Sequence, residues 1–254
     1  MLPSDDFLRH LPQSIPAIER LRVETLIFAH DLMETALGRL YAVGLEFREN
    51  DNASRLSMFG DAWTIVGQVH VVRQVLSSLT GDGRKADTQA FINDFAAGYT
   101  MRNKMDHLNQ NIPNRARTVG RTNALFGMLT FFRPYADRWE RGLQDGEIRG
   151  DLFVVTAGST QGDMIGRVAF DGLDIHLPIC SFKLEAFNEN LFLERAVFQL
   201  RALLGRMSQD VKCQVEALNV TQENLMIQPG SGHFVIRMDF GFPVERPTRT
   251  EPGS

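Results

Sequence analysis

The sequence predicts an α+β fold: an N-terminal antiparallel helical bundle followed by an antiparallel sheet with one long covering helix. Two observations carry this. Up to about residue 112 the apolar residues recur every three or four positions, and past Gly150 they alternate with period two between short turns. A single long helical stripe then returns before a closing strand. Helices first and strands second segregate the two element types, which argues against alternating βαβ units. The predicted organisation is a helical bundle over 1–112, a basic connecting segment over 113–150, an α+β sheet domain over 151–244 and a disordered tail over 245–254.

After a lead punctuated by Pro3, Pro12 and Pro16, the first helix is expected over 18–47, with Leu21, Thr25, Phe28, Leu32, Ala36 and Leu40 as its stripe. Asp51-Asn52-Ala53-Ser54 is a turn that offers Ser54 as the N-cap of a second helix over 54–79. That helix presents Phe59, Ala62, Val66, Val69, Val72 and Leu76 on one face, and Thr80-Gly81-Asp82-Gly83 ends it. A third helix is expected over 86–112, stopped by Pro113, with Phe91, Phe95, Gly98, Arg102, Met105 and Asn109 on its stripe. Residues 125–132 are apolar enough for a strand or short helix, and 137–143 for a helical turn. Strands are expected over 152–156, 164–170, 174–187 and 233–242, with Pro178 marking a bulge or an edge. The covering helix is expected over 189–218, buried through Phe192, Val197, Leu200, Leu204, Met207, Val211 and Val215.

Composition narrows the function classes. With 254 residues, 43% hydrophobic and 23% charged, the chain can bury a sizeable core. It has no apolar run long enough to cross a bilayer, and Met1–Asp6 lacks the basic start and apolar core of a signal peptide, so a cytoplasmic protein is expected. Cys180 and Cys213 lie among apolar neighbours without CxxC spacing and read as buried free thiols. Six scattered histidines without HxxxH or HExxH spacing give no metal motif, and no cofactor is implied. Gly158–Gly162 precedes a strand and lacks a phosphate-loop lysine, so it reads as a hairpin turn. A net charge of −4 argues against indiscriminate nucleic-acid binding. Residues 101–141 nevertheless carry eight basic residues against three acids, a local anion-attracting excess.

The chemistry-bearing stretch is Arg102-Asn103-Lys104-Met105-Asp106-His107. A guanidinium on an interior stripe needs an acid, a cleft or a subunit interface, because burying it unpaired costs several kcal/mol. Arg102 and Asp106, four apart, can form an ordinary surface pair; Asn103 and His107 share a second helical face. A histidine titrating near neutrality can move a proton from a ribose 2′-OH, an arginine can hold a phosphate, and an amide can orient either.

These residues resemble the R-x(4–6)-H motif of HEPN domains, in the form where a polar residue follows the arginine. The resemblance covers residues 18–112, late in a helical bundle. The Asp61-Ala62-Trp63 helix and Phe126–Phe132 are also similar to HEPN-like proteins of unassigned function. The resemblance implies a homodimer in which two motifs meet in a basic cleft, and metal-independent RNA cleavage leaving a 2′,3′-cyclic phosphate. In that reading Arg102 binds the scissile phosphate, Asn103 positions it and His107 serves proton transfer, with Lys104, Arg115, Arg117 and Arg121 as further RNA contacts. A toxin or defence role with an antitoxin-type partner protein is implied by the same likeness. The alternative is a non-catalytic homo-oligomeric interaction module in which Arg102 pairs with an acid.

Overall fold

The structure is a computed structural model that describes residues 1–11, 15–78, 86–116, 126–135, 149–157, 175–176 and 179–217. Two long helices, α1 (Ala17–Glu46) and α2 (Asn52–Ser78), fold back on one another through a short connection. The N-cap of α2 is Asp51 rather than the expected Ser54. Its carboxylate accepts from the backbone N–H groups of Ala53 and Ser54 at 3.0 and 3.1 Å and from the Ser54 hydroxyl at 2.6 Å. Those bonds hold the exposed Asp51 carboxyl below its usual range. The expected stripe of α2 is buried in full, from Phe59 to Leu76.

The expected stripe of α1 is its core face only at Ala36 and Leu40. Leu26, Met33, Ala36, Leu37 and Leu40 are buried, whereas Leu21 is 61% and Phe28 47% exposed. This helix carries apolar residues on most of its circumference, so periodicity alone does not select the phase. Contacts to α2, the sheet and the covering helix select it.

The expected third helix is three: α3 (Ala86–Asp94), α4 (Ala96–Asp106) and α5 (Leu108–Ala116). Phe95 (φ −109°, ψ 27°) and His107 (φ −103°, ψ 34°) leave helical geometry and bend the path. Pro113 lies inside α5 and does not end it; the residue is exposed, where the missing N–H leaves a carbonyl within reach of water. Phe91, Phe95 and Gly98 of the expected stripe are buried, but the next buried residue is Met101, so Arg102 lies one position off the core face and turns outward. Gly98 lets α4 approach α2 closely: a Cβ there would sit 2.7 Å from Val69 Cγ1.

Five described strands form one antiparallel sheet: β1 (Met128–Pro134), β2 (Gly150–Thr156), β3 (Ile175–His176), β4 (Ile179–Ala186) and β5 (Glu189–Phe192). Its order is β2-β1-β4-β3, with β5 also pairing β4. Register is set by Leu129 opposite both Val155 and Leu184. The expected strand 174–187 and helix 189–218 are corrected here. The chain reverses at Phe187 and Asn188 (φ 56° and 66°), so residues 189–192 pair back on β4, and α6 (Leu193–Ala217) begins four residues later. A two-residue turn of this kind normally advertises itself with glycine; Phe-Asn does not. Glu194, fully buried in the first turn of α6, ties the helix to the sheet by accepting from the Phe182 N–H at 2.6 Å. The expectations for 137–143, 164–170, Pro178, 233–242 and the tail lie outside the described residues.

One set of buried side chains runs from Leu2 to Leu204 through helices and sheet alike. Aromatic rings join the two layers, Tyr41 to Phe182 (centroids 5.8 Å) and Phe47 to Phe131 (5.8 Å), and Phe131 meets Phe182 within the sheet (5.0 Å).

Candidate functional site at the end of helix α4

Residues 99, 103 and 107 are four apart and so align along one face of α4. Tyr99, Thr100, Asn103, Lys104, His107 and Gln110, closed by Asn111 of α5, line an open depression of about 330 Å³. The Asn111 amide closes the helix end by donating to the carbonyls of Lys104 (2.7 Å) and His107 (3.1 Å). Asn103 is half-buried and His107 exposed. Within the described residues neither side chain has a hydrogen-bond partner, so both present their polar atoms to the depression.

Arg102 lies on the neighbouring face. Its guanidinium pairs with Asp106, one turn on, and the two side chains are 39% and 46% exposed. The expectation that it sits on an interior stripe is corrected: its neighbour Met101 takes the buried position. What it meets is solvent and one exposed carboxylate, an exchangeable partner worth well under about 1 kcal/mol. Lys104 takes a different position from the one expected of a free cation. Its ammonium donates to the Phe187 carbonyl at 2.9 Å and lies 3.2 Å from Glu189 Oε1, so it ties α4 to the β4–β5 turn. Arg115 lies in α5, while Arg117 and Arg121 fall outside the described residues. Arg133, counted in the same basic excess, ties β1 to the end of α1: it donates to the Leu45 and Phe47 carbonyls and pairs with Asp151 of β2 at 3.3 Å.

Sequence reading missed Tyr99 as part of this site. Its ring stacks on His70 of α2 (centroids 4.8 Å, planes 5° apart), and the Arg73 guanidinium lies 4.8 Å from its centroid. Burial lowers the Arg73 pKa, with Tyr99 partly offsetting it. Arg73 is anchored by donating to the Ile92 carbonyl at 2.8 Å. The available signal was spacing: Tyr99, Asn103 and His107 repeat at four, and His70 and Arg73 are three apart on the helix that faces them.

Two other polar clusters lie away from the depression. Asp61, 5% exposed, accepts from Arg39 at 2.9 and 2.5 Å, which raises the Arg39 pKa. Its partner is within the α1–α2 pair, so it does not support Arg102. His30, fully buried, lies 3.1 Å from Glu34 Oε1, and Glu34 also accepts from Arg201 Nε at 2.7 Å. Burial alone would raise the Glu34 carboxyl, but His30 and Arg201 outweigh it and hold the pKa at about 2. Cys213 is exposed, a correction to the expected buried thiol: it lies on the outer side of α6, where Gln209 Nε2 reaches its sulfur at 3.4 Å. No group of His, Cys, Asp or Glu among the described residues has the arrangement of a metal site, and no described helix is long and apolar enough to cross a membrane.

Comparison with protein-family models, curated proteins and solved structures finds no match to this chain.

Proposed function

We propose that this chain is an HEPN-like RNA-binding protein whose site is the exposed face at the end of α4, and that its homodimer cleaves RNA there without a metal. One observation carries the reading: among the described residues Asn103 and His107 open side by side onto a depression with no internal partner, while Arg102 stands beside them paired with an exposed carboxylate. In this chemistry the His107 imidazole takes the proton of a ribose 2′-OH, whose oxygen attacks the adjacent phosphorus. The 5′-oxygen of the following nucleotide leaves and takes up a proton, giving a 2′,3′-cyclic phosphate. Arg102, released from Asp106, neutralises the charge that builds on the phosphoryl oxygens. The second copy supplies the other Arg102 and His107, so acid and base come from different subunits.

The test is incubation of the protein with mixed-sequence RNA in EDTA, beside Arg102→Ala and His107→Ala. Cutting by wild type, its loss in both variants and unchanged melting temperatures are the expected result. Intact RNA in all three removes the cleavage reading.

A second reading rests on the pairing itself. Arg102 and Lys104 are both answered within the chain, by Asp106 and by Glu189 with the Phe187 carbonyl. This suits a non-catalytic, homo-oligomeric interaction module. Arg102→Met separates the two: it leaves stability nearly unchanged if the arginine serves RNA, and weakens the oligomer if the arginine is a structural contact.

A further inference from the structure

The lining of the depression is close to electrically neutral, which is unexpected for a site that handles a polyanion. Apart from the titratable His107, its charged side chain is Lys104, and that ammonium is already shared between Glu189 and a backbone carbonyl. What remains is one phenol ring, one hydroxyl and the carboxamides of Asn103, Gln110 and Asn111. The Thr100 hydroxyl donates back to the Ala96 carbonyl at 3.1 Å, and Asn111 is committed to closing the helix. The groups left to meet a ligand are therefore the Asn103 and Gln110 carboxamides, the His107 ring and the exposed part of Tyr99.

Tyr99 is 36% exposed, and its orientation is fixed by the His70 stack and the Arg73 guanidinium. An aromatic wall already held in place loses little freedom when a flat ligand packs against it. Carboxamides beside such a wall offer paired donors and acceptors, the pattern that reads the edge of a nucleobase. A phosphate has no use for either feature and needs free cations or free backbone N–H groups.

We propose that this depression takes an unpaired nucleobase rather than a phosphate, with Tyr99 as its aromatic wall and the carboxamides of Asn103 and Gln110 reading its edge. The inference rests on the RNA reading above and deepens it. The site engages single-stranded segments, whose bases can swing out to be bound, while the sugar-phosphate chain runs outside the depression toward Arg102.

The test is calorimetric titration of the full chain with adenosine, guanosine, cytidine and uridine, and separately with inorganic phosphate. Expected are saturable binding of at least one nucleoside that millimolar phosphate does not displace, a loss of about tenfold in affinity in Tyr99→Ala, and retention in Tyr99→Phe. Asn103→Ala provides a second variant that leaves the Tyr99–His70 contact intact, and it too should weaken nucleoside binding. No nucleoside binding, displacement by phosphate, or wild-type affinity in both Tyr99→Ala and Asn103→Ala would overturn the proposal. Binding of mixed-sequence RNA without nucleoside binding overturns this inference and leaves the RNA reading standing. Nucleoside binding without RNA binding supports the pocket and overturns the RNA reading.

Discussion

Lys104 and Arg102 are two residues apart, carry the same charge and are held in different ways. The ammonium of Lys104 is tied to the Phe187 carbonyl of the β4–β5 turn. Among the described residues, the guanidinium of Arg102 pairs with one exposed carboxylate. Lys104→Met should therefore lower stability by about 1–3 kcal/mol in urea denaturation, because a buried-side carbonyl loses a charged donor. Arg102→Ala should change it by less than about 0.5 kcal/mol. Glu34 gives a pH prediction at the same scale. Its folded pKa of about 2 lies below the ordinary value of 4.5, so its contribution is fully present above about pH 4.5 and is lost as pH falls toward 2. Melting temperature followed across that window should drop, and Glu34→Gln should flatten the drop.

At the scale of elements, two close fits decide how α4 and the β4–β5 hairpin are placed. Gly98 admits α4 against Val69, so Gly98→Val should cost about 1–3 kcal/mol of unfolding free energy, with the near-UV circular dichroism altered by the shift of Tyr99 next to it. Phe187 and Asn188 hold left-handed conformations that cost L-residues energy. Phe187 is held there by burial against Trp63 (centroids 6.2 Å) and by the Lys104 bond to its carbonyl. Asn188→Gly should raise stability by up to about 1 kcal/mol, read as a higher denaturation midpoint with unchanged slope. These elements also mark where sequence reading stops. The buried face of α2 was legible because its six apolar positions keep one phase. The face of α1 was not, since apolar residues surround it. The turn at Phe187-Asn188 carried no glycine or proline signal, which extended the expected covering helix backward over β5.

For the molecule as a whole, the α+β architecture was legible because the hydrophobic period shifts from about 3.6 to 2 past Gly150 and returns to 3.6 for one long helix. That both parts share one core was not. Long-range partners such as Phe47 with Phe131, or Lys104 with the Phe187 carbonyl, leave no local pattern. The site was legible in part. Asn103 and His107 were placed on one face by spacing alone, whereas Arg102 was assigned to a buried stripe because three- and four-residue spacing from Gly98 admits either Met101 or Arg102, and Met101 is the buried one. Tyr99 depends on α2 folding back to bring His70 and Arg73 against it, a tertiary event.

The central claim is that RNA meets this chain on the Asn103–His107 face of α4. Fluorescence anisotropy of a labelled, mixed-sequence single-stranded RNA tests it most directly, with wild type, Asn103→Ala and His107→Ala compared at one salt concentration. Wild type should bind saturably, and each variant should lose about tenfold in affinity with its melting temperature unchanged. Equal affinity in all three proteins, or no binding by any, would contradict it.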